Sequence, residues 1–141
     1  NLRYHQTNTG GSMHSDGPQL ENPPNYVLMN CLKQASKGGY SIIIYADRIY
    51  NYLKRNRPSQ LNILKKNFIF ERRGFNFKNK NVFKKPVFEI KKNKFRFRYL
   101  REYMEKGYIL NKIKLKSEQI KSLDLLDTLL KKKRFQKKRS L

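Results

Sequence analysis

The stretch TNTGGSMHSDGPQLENPPNYV, residues 7–27, is the most informative part of this chain because it places His14 and Asp16 two positions apart. On an extended segment, side chains at this spacing point to the same face, and their α-carbons lie about 6–7 Å apart. An imidazole nitrogen and a carboxylate oxygen can then reach one metal ion. The alternative is a polar loop without a ligand, in which Asp16 begins a turn before Gly17 and Pro18.

A neutral imidazole and a carboxylate are two of the three protein ligands in the 2-His-1-carboxylate set that holds Fe(II) in non-haem oxygenases. The triplet alone is a weak signal, and both a metal site at His14 and Asp16 and a polar loop without a ligand remain open at this point. The only other histidine of the chain, His5, lies upstream, and its spacing does not direct it to the same metal. We interpret His5 as a solvated side chain. The second histidine of the 2-His-1-carboxylate set is therefore missing from this sequence.

The run PPNYVLMNCLKQASKGGYSIIIYADRIYNYL, residues 23–53, adds a family resemblance to the triplet. It resembles the taurine dioxygenase/clavaminate synthase-like (TauD/TfdA) family of Fe(II)- and 2-oxoglutarate-dependent oxygenases. The matching motifs, in order and spacing, are Pro23-Pro24-Asn25-Tyr26-Val27, Cys31-Leu32 and Gly38-Gly39-Tyr40-Ser41. The segments 68–75 and 95–103 also look like parts of the family, so the resemblance covers most of residues 4–130.

The resemblance implies a fold, an activity and cofactors. The fold is expected to be a partial double-stranded β-helix, a distorted jelly roll with flanking helices. The activity is expected to be hydroxylation of a small molecule by dioxygen, with Fe(II) as cofactor and 2-oxoglutarate as cosubstrate. His14 and Asp16 match the first two iron ligands of the family. Ser41 matches a Thr or Ser that helps bind 2-oxoglutarate, although a strand-edge hydroxyl bonded to backbone is an equal alternative.

Two residues that the family places later in the chain have no match after Ser117. They are the distal histidine ligand and the arginine that pairs with the far carboxylate of 2-oxoglutarate. We therefore expect residues 1–130 to be an incomplete oxygenase domain, a central fragment that is nearly inactive alone. The run of residues 131–141 has no apolar period, so we expect a basic, frayed tail.

Hydrophobic patterning alone predicts a mixed, β-led α+β fold. It predicts strands over residues 27–32, 40–45, 67–72, 86–90 and 94–99, and helices over residues 47–55, 60–66 and from Ser117 through the leucines up to Leu130. In the last strand Phe95, Phe97 and Tyr99 share one face. We interpret Arg96 and Arg98 on its other face, together with Arg101, as solvated, and recognition of a substrate carboxylate or sulfonate is the alternative.

The charge of the chain supports a second hypothesis, in which the protein binds a polyanion and is not an enzyme. Its net charge is +23, from 33 Lys and Arg against 10 Asp and Glu. Such a balance predicts non-specific, salt-dependent adhesion to polyanions, and it is compatible with a small basic protein that binds nucleic acid without catalysis. Because the chain is also rich in Asn, Ile, Phe and Tyr, a genome biased towards A/T-rich codons is an alternative source of the lysines.

The single cysteine, Cys31, excludes an intrachain disulfide and is consistent with a reducing compartment, so we expect the protein to be cytoplasmic. We predict that Cys31 is a small buried core residue. The longest apolar run, Ile42 to Ala46, is too short to cross a bilayer, so no membrane partner is expected.

Overall fold

The computed structural model describes residues 11–74 and 80–140, in which short strands alternate with short helices. The predicted mixed α+β character is confirmed, but helices hold more of the described residues than strands do, so the fold is not β-led. The elements in chain order are β1 (Tyr40–Ile44), α1 (Ala46–Asn56), α2 (Pro58–Leu64), β2 (Asn67–Glu71), β3 (Val82–Pro86), β4 (Phe88–Lys91), β5 (Lys94–Phe97), α3 (Arg101–Leu110), α4 (Ser117–Leu130), a 3-10 turn (Lys133–Phe135) and β6 (Gln136–Ser140).

The strands within the described residues pair in three separate antiparallel ladders of two strands each. β2 pairs with β3 and β4 pairs with β5, so each of these ladders joins strands that are consecutive in the chain. The third ladder pairs β1 with β6, the first and the last of the described strands. The expected jelly roll is not confirmed, because the described strands do not combine into two facing sheets.

One hydrophobic core joins the helices and ladders. The apolar stripe predicted for α4 is largely buried, although Ile120 at its start is 39% exposed. The leucines of α4 share a buried cluster with side chains of α1, α2, β2 and the segment around β4. Members of this cluster are Leu123, Leu126, Leu129, Leu130, Ile49, Leu53, Leu61, Leu64, Phe68, Phe70, Val87 and Phe88.

The longest described helix, α4, has 14 residues. A helix needs about 20 apolar residues to span a bilayer. None of the helices within residues 11–74 and 80–140 has the length and apolar character for this.

The predicted strand over residues 27–32 is wrong. The chain has no regular structure there, and its apolar side chains are exposed, with Leu28 at 96% and Leu32 at 93%. Cys31 is exposed as well, so the prediction that it belongs to the core is also wrong. An apolar run becomes a strand of this kind only when neighbours cover both of its faces. Among the described residues, none of the strands pairs with this segment.

The basic tail also differs from the expectation. Instead of fraying, residues 133–140 form the 3-10 turn and β6. Phe135 in the turn is 8% exposed and belongs to the core, and the register of the ladder places Lys137 opposite Ile43. Backbone pairing with β1 orders a segment that has no hydrophobic period of its own.

Helix α3 follows β5 closely and was not expected from patterning. It packs against β2 at Gly107, where an added β-carbon would lie 2.8 Å from the carbonyl oxygen of Ile69 and 2.9 Å from the carbonyl carbon of Phe70. The backbone of the helix therefore lies directly on the backbone of the strand. A side chain larger than hydrogen at position 107 would therefore push α3 away from β2.

We expect Gly107→Ala to lower the free energy of unfolding by about 1–3 kcal/mol, the usual cost of overpacking. Helix propensity alone would change it by about 1 kcal/mol in the opposite direction, so the sign of the effect reports the contact with β2. Urea unfolding followed by circular dichroism measures it. Ile109→Ala, at a position that is 73% exposed on the same helix, is the control. Unfolding of Gly107→Ala at the same or a higher urea concentration would contradict the close approach.

Candidate metal centre

The structure brings the two predicted ligands together. His14 Nε2 lies 3.7 Å from Asp16 Oδ1, and the side chains are 40% and 61% exposed. Metal–ligand bonds of about 2.0–2.2 Å, as in zinc sites, are long enough for one ion to contact both atoms. The same-face prediction for the His-x-Asp triplet therefore agrees with the observed arrangement.

The other ring nitrogen of His14 is already engaged. His14 Nδ1 lies 2.6 Å from the main-chain oxygen of Ser12. A carbonyl oxygen only accepts, so the neutral ring carries its proton on Nδ1 and leaves the lone pair on Nε2, the nitrogen that faces Asp16. A second hydrogen bond of this kind is typical of metal-binding histidines, because it sets the tautomer and the ring orientation. The donor set therefore fits a divalent transition metal.

Ser15, between the two candidate ligands, attaches the triplet to the chain that follows β5. Its main-chain N–H donates to the Tyr99 carbonyl over 2.9 Å, and the Tyr99 N–H donates to Ser15 Oγ over 3.0 Å. Ser15 is thereby fixed by its backbone and its side chain at the position between His14 and Asp16. This two-way pairing holds the triplet in the arrangement in which His14 and Asp16 lie close together.

Tyr99 is in turn attached to α4. Its side chain is 1% exposed, and its hydroxyl donates to Asp127 Oδ1 over 2.5 Å. Burial, together with the hydrogen bond to the Asp127 carboxylate, raises the pKa of Tyr99. The phenol therefore stays protonated and remains a donor at every physiological pH.

The arginines near β5 have three different environments. Arg96 is exposed, as expected for a solvated face. Arg98 is only 7% exposed and donates to main-chain oxygens of the loop after Asp16, so the prediction that it is solvated is wrong. Arg101 forms ion pairs with Glu105, Asp124 and Asp127. The environments of Arg98 and Arg101 do not follow from strand alternation, because most of their partners lie in other parts of the chain.

A second arginine holds the same loop by its side chain. Arg72 Nη2 lies 3.0 Å from Glu21 Oε2, and Arg72 is itself 6% exposed. The hydrogen bond from Arg72 holds the pKa of Glu21 below its ordinary value of 4.5. The carboxylate is therefore ionised at neutral pH and keeps this contact.

A cavity of about 170 Å³ opens beside His14. Its wall is mainly apolar and includes Met13, Ile42, Ile44, Phe97 and Leu130. Met13 and Leu130 also line a second cavity of about 210 Å³, whose polar side is formed by Tyr99, Arg101, Asp127 and Lys131. The candidate ligand His14 therefore borders an apolar space next to a charged one.

Ser41, the candidate 2-oxoglutarate ligand, is not brought to this cavity. Ile42 and Ile44 line the cavity, and side chains alternate along a strand, so Ser41 lies on the opposite face of β1. Its role in binding 2-oxoglutarate stays a prediction. His5 lies outside the described residues. Within residues 11–74 and 80–140, no group of three His, Cys, Asp or Glu side chains is placed to hold a metal.

Comparison with known families agrees with the sequence motifs. The family described as "Taurine catabolism dioxygenase TauD, TfdA family" matches residues 1–138. The chain belongs to this family. The mixed α+β arrangement of the described residues is consistent with part of a TauD/TfdA fold.

Two curated relatives of this TauD/TfdA chain are the gamma-butyrobetaine dioxygenases of Homo sapiens and Pongo abelii. Each is 38% identical to it over 58 residues, which are 41% of this chain. The match spans 15% of the length of each relative.

We expect Ser15→Ala to lower the free energy of unfolding by about 1 kcal/mol, because the Tyr99 N–H loses its acceptor. The matched control is Ser12→Ala, which removes a hydroxyl that makes only an exposed hydrogen bond to Glu102 and keeps the main-chain oxygen that accepts from His14. Chemical unfolding of both variants, followed by circular dichroism, makes the comparison. Equal unfolding midpoints would show that the Ser15 hydroxyl does not hold the triplet to Tyr99.

Proposed function

We propose that this chain provides part of the iron centre of an Fe(II)- and 2-oxoglutarate-dependent dioxygenase that hydroxylates a small molecule. The observation that carries the proposal is the pairing of His14 Nε2 with Asp16 Oδ1 at 3.7 Å, in a chain of the TauD/TfdA family. A nitrogen and a carboxylate oxygen with lone pairs on one side suit the ligand set of non-haem Fe(II) oxygenases.

His14 and Asp16 would hold the Fe(II) in this proposal. When bound, the iron and 2-oxoglutarate supply the chemistry by which dioxygen oxidises an unactivated C–H bond. The chain contributes orientation: the Ser12 carbonyl keeps the proton of His14 on Nδ1, and the Ser15–Tyr99 pairing keeps both ligands on one side.

The cavity beside His14 suggests where a small organic substrate would lie. Its apolar wall would exclude water from the space next to the metal and would contact the hydrocarbon part of such a molecule. The adjoining cavity, with Arg101, Lys131 and Asp127, offers charged groups to a polar end. We propose a small molecule with an apolar and a charged part as the substrate class.

The set of ligands needs a third member beyond His14 and Asp16. The described residues offer no third side chain to this pair, and we propose that the chain by itself is nearly inactive. Even a partner that only orients a ligand changes metal affinity or activity by about 10–100-fold, so a missing ligand should cost at least as much.

An anaerobic Fe(II) titration of the 141-residue chain tests the proposal. His14→Ala and Asp16→Ala should each weaken Fe(II) binding by about 10-fold or more, because each removes one of the two ligands. The matched control His5→Ala should bind Fe(II) as the parent chain does. Unchanged binding by His14→Ala would overturn the assignment of the metal centre.

A 2-oxoglutarate decarboxylation assay on the same chain tests the proposal that the chain by itself is nearly inactive. We expect turnover close to the background without protein. Robust turnover would show that the chain supplies a third ligand after all, and its loss in His5→Ala would identify that ligand.

One observation favours a second candidate function, the binding of nucleic acid without catalysis. Seven basic side chains between residues 131 and 139 are exposed, and in the described part of the chain none of them belongs to an ion pair. This function predicts tight binding with a steep dependence on salt, which His14→Ala leaves unchanged. Filter binding at several salt concentrations measures it. Only micromolar, sequence-blind adhesion would leave the oxygenase as the better account.

A further inference from the structure

Arg98 is a buried cation whose guanidinium N–H groups donate hydrogen bonds to main-chain oxygens. Nη1 donates to the carbonyls of Pro18 over 3.1 Å and of Leu20, and Nη2 donates to the carbonyl of Glu21 over 3.0 Å. The residue is 7% exposed, and burial lowers the pKa of its guanidinium. An arginine stays charged in proteins, so these are charge-assisted hydrogen bonds and are stronger than neutral ones.

The surroundings of the guanidinium leave little room for a substrate. Its central carbon lies 5.2 Å from the ring centre of Phe83 and 5.8 Å from that of Phe70. The two rings stack on each other at 5.6 Å. Aromatic faces attract a cation when water is excluded, so the rings stabilise the charge at this position. Recognition of a substrate carboxylate by Arg98 is therefore not supported.

The loop that Arg98 binds needs partners for its backbone. Residues 17–21 contain a positive φ of 63° at Gly17 and a turn closed by the Leu20 N–H on the Gly17 carbonyl. Pro18 in this loop is buried. A buried carbonyl without a donor costs free energy, and Arg98 supplies donors to the buried Pro18 carbonyl and to the partly buried carbonyls of Leu20 and Glu21.

The loop and the ligands are held by neighbouring residues. Tyr99 binds Ser15, on the N-terminal side of Asp16, through its backbone. Arg98, one position earlier, binds residues 18–21 on the C-terminal side of Asp16. The dipeptide Arg98-Tyr99 thus holds the chain on both sides of a candidate ligand.

We propose that Arg98 is a positioning residue that fixes residues 14–21 so that His14 and Asp16 stay together. Its effect on metal binding rests on the proposed function, whereas its effect on the loop does not. Removing the guanidinium should free the carbonyls of residues 18, 20 and 21 and let the loop sample arrangements in which the two ligand atoms separate.

Amide hydrogen exchange of the metal-free chain tests the effect on the loop. Arg98→Met should raise the exchange rates of amides in residues 15–21 by about 10-fold or more, as expected for the loss of charge-assisted hydrogen bonds. Arg96→Met is the matched control, because it makes the same chemical change on the exposed side of β5, and should leave these rates unchanged. The amides of α4 report whether the core stays folded.

Arg98→Lys keeps the charge but lacks the planar fork that reaches several acceptors at once. It should give exchange rates between those of the parent and Arg98→Met. If Arg98→Met does not fold, with protection lost in α4 as well, Arg98→Lys carries the test. Parent-like exchange of residues 15–21 in a folded Arg98→Met or Arg98→Lys would overturn the proposal.

Fe(II) titration distinguishes a role of Arg98 in positioning the metal ligands from a role in the stability of the fold alone. Arg98→Met should weaken Fe(II) binding by about 10-fold at a temperature at which α4 remains fully protected. A purely structural role would lower the unfolding temperature without this loss in the folded chain. If the parent chain fails to bind Fe(II) through His14 and Asp16, the proposed function fails, while the exchange result still decides the role of Arg98 in the loop.

Discussion

The candidate metal centre depends on hydrogen bonds between an irregular loop and the residues directly after β5. Residues 12–21 form neither a helix nor a strand, so their polar backbone groups must find partners elsewhere. The backbone of Tyr99 and the side chain of Arg98 provide those partners. Without them, the spacing of His14 and Asp16 would permit the observed pairing but would not maintain it.

The position of Arg98 and Tyr99 is itself set by the core. The Arg98 N–H donates to the Val87 carbonyl, and the Val87 N–H donates to the Leu64 carbonyl at the end of α2. The Tyr99 hydroxyl binds Asp127 of α4. The loop is thereby connected to packed helices on two sides. Packed cores resist small displacements, so this connection transmits their rigidity to the candidate ligands.

Prediction from the sequence succeeded for features that are set by interactions between residues close together in the chain. The β-branched run of β1, the apolar stripe of α4 and the same-face arrangement of His14 and Asp16 all follow from residue spacing. It failed where a segment depends on a distant partner. Residues 27–32 look like a buried strand but are exposed, and β6 looks like a solvated tail but pairs with β1. The burial of Arg98 belongs to the second group, because its acceptors lie about eighty residues away in the chain.

The sequence by itself determined the chemistry that is available: an imidazole and a carboxylate two positions apart, in motifs of the TauD/TfdA family. Such information is local, since backbone geometry over three residues sets which way the two side chains point. The tertiary structure alone decided that Ile42 and Ile44 of β1 line the cavity beside His14, and that a buried arginine holds the loop. These features arise when segments far apart in the chain satisfy each other's hydrogen bonds, and spacing along the sequence does not encode that pairing.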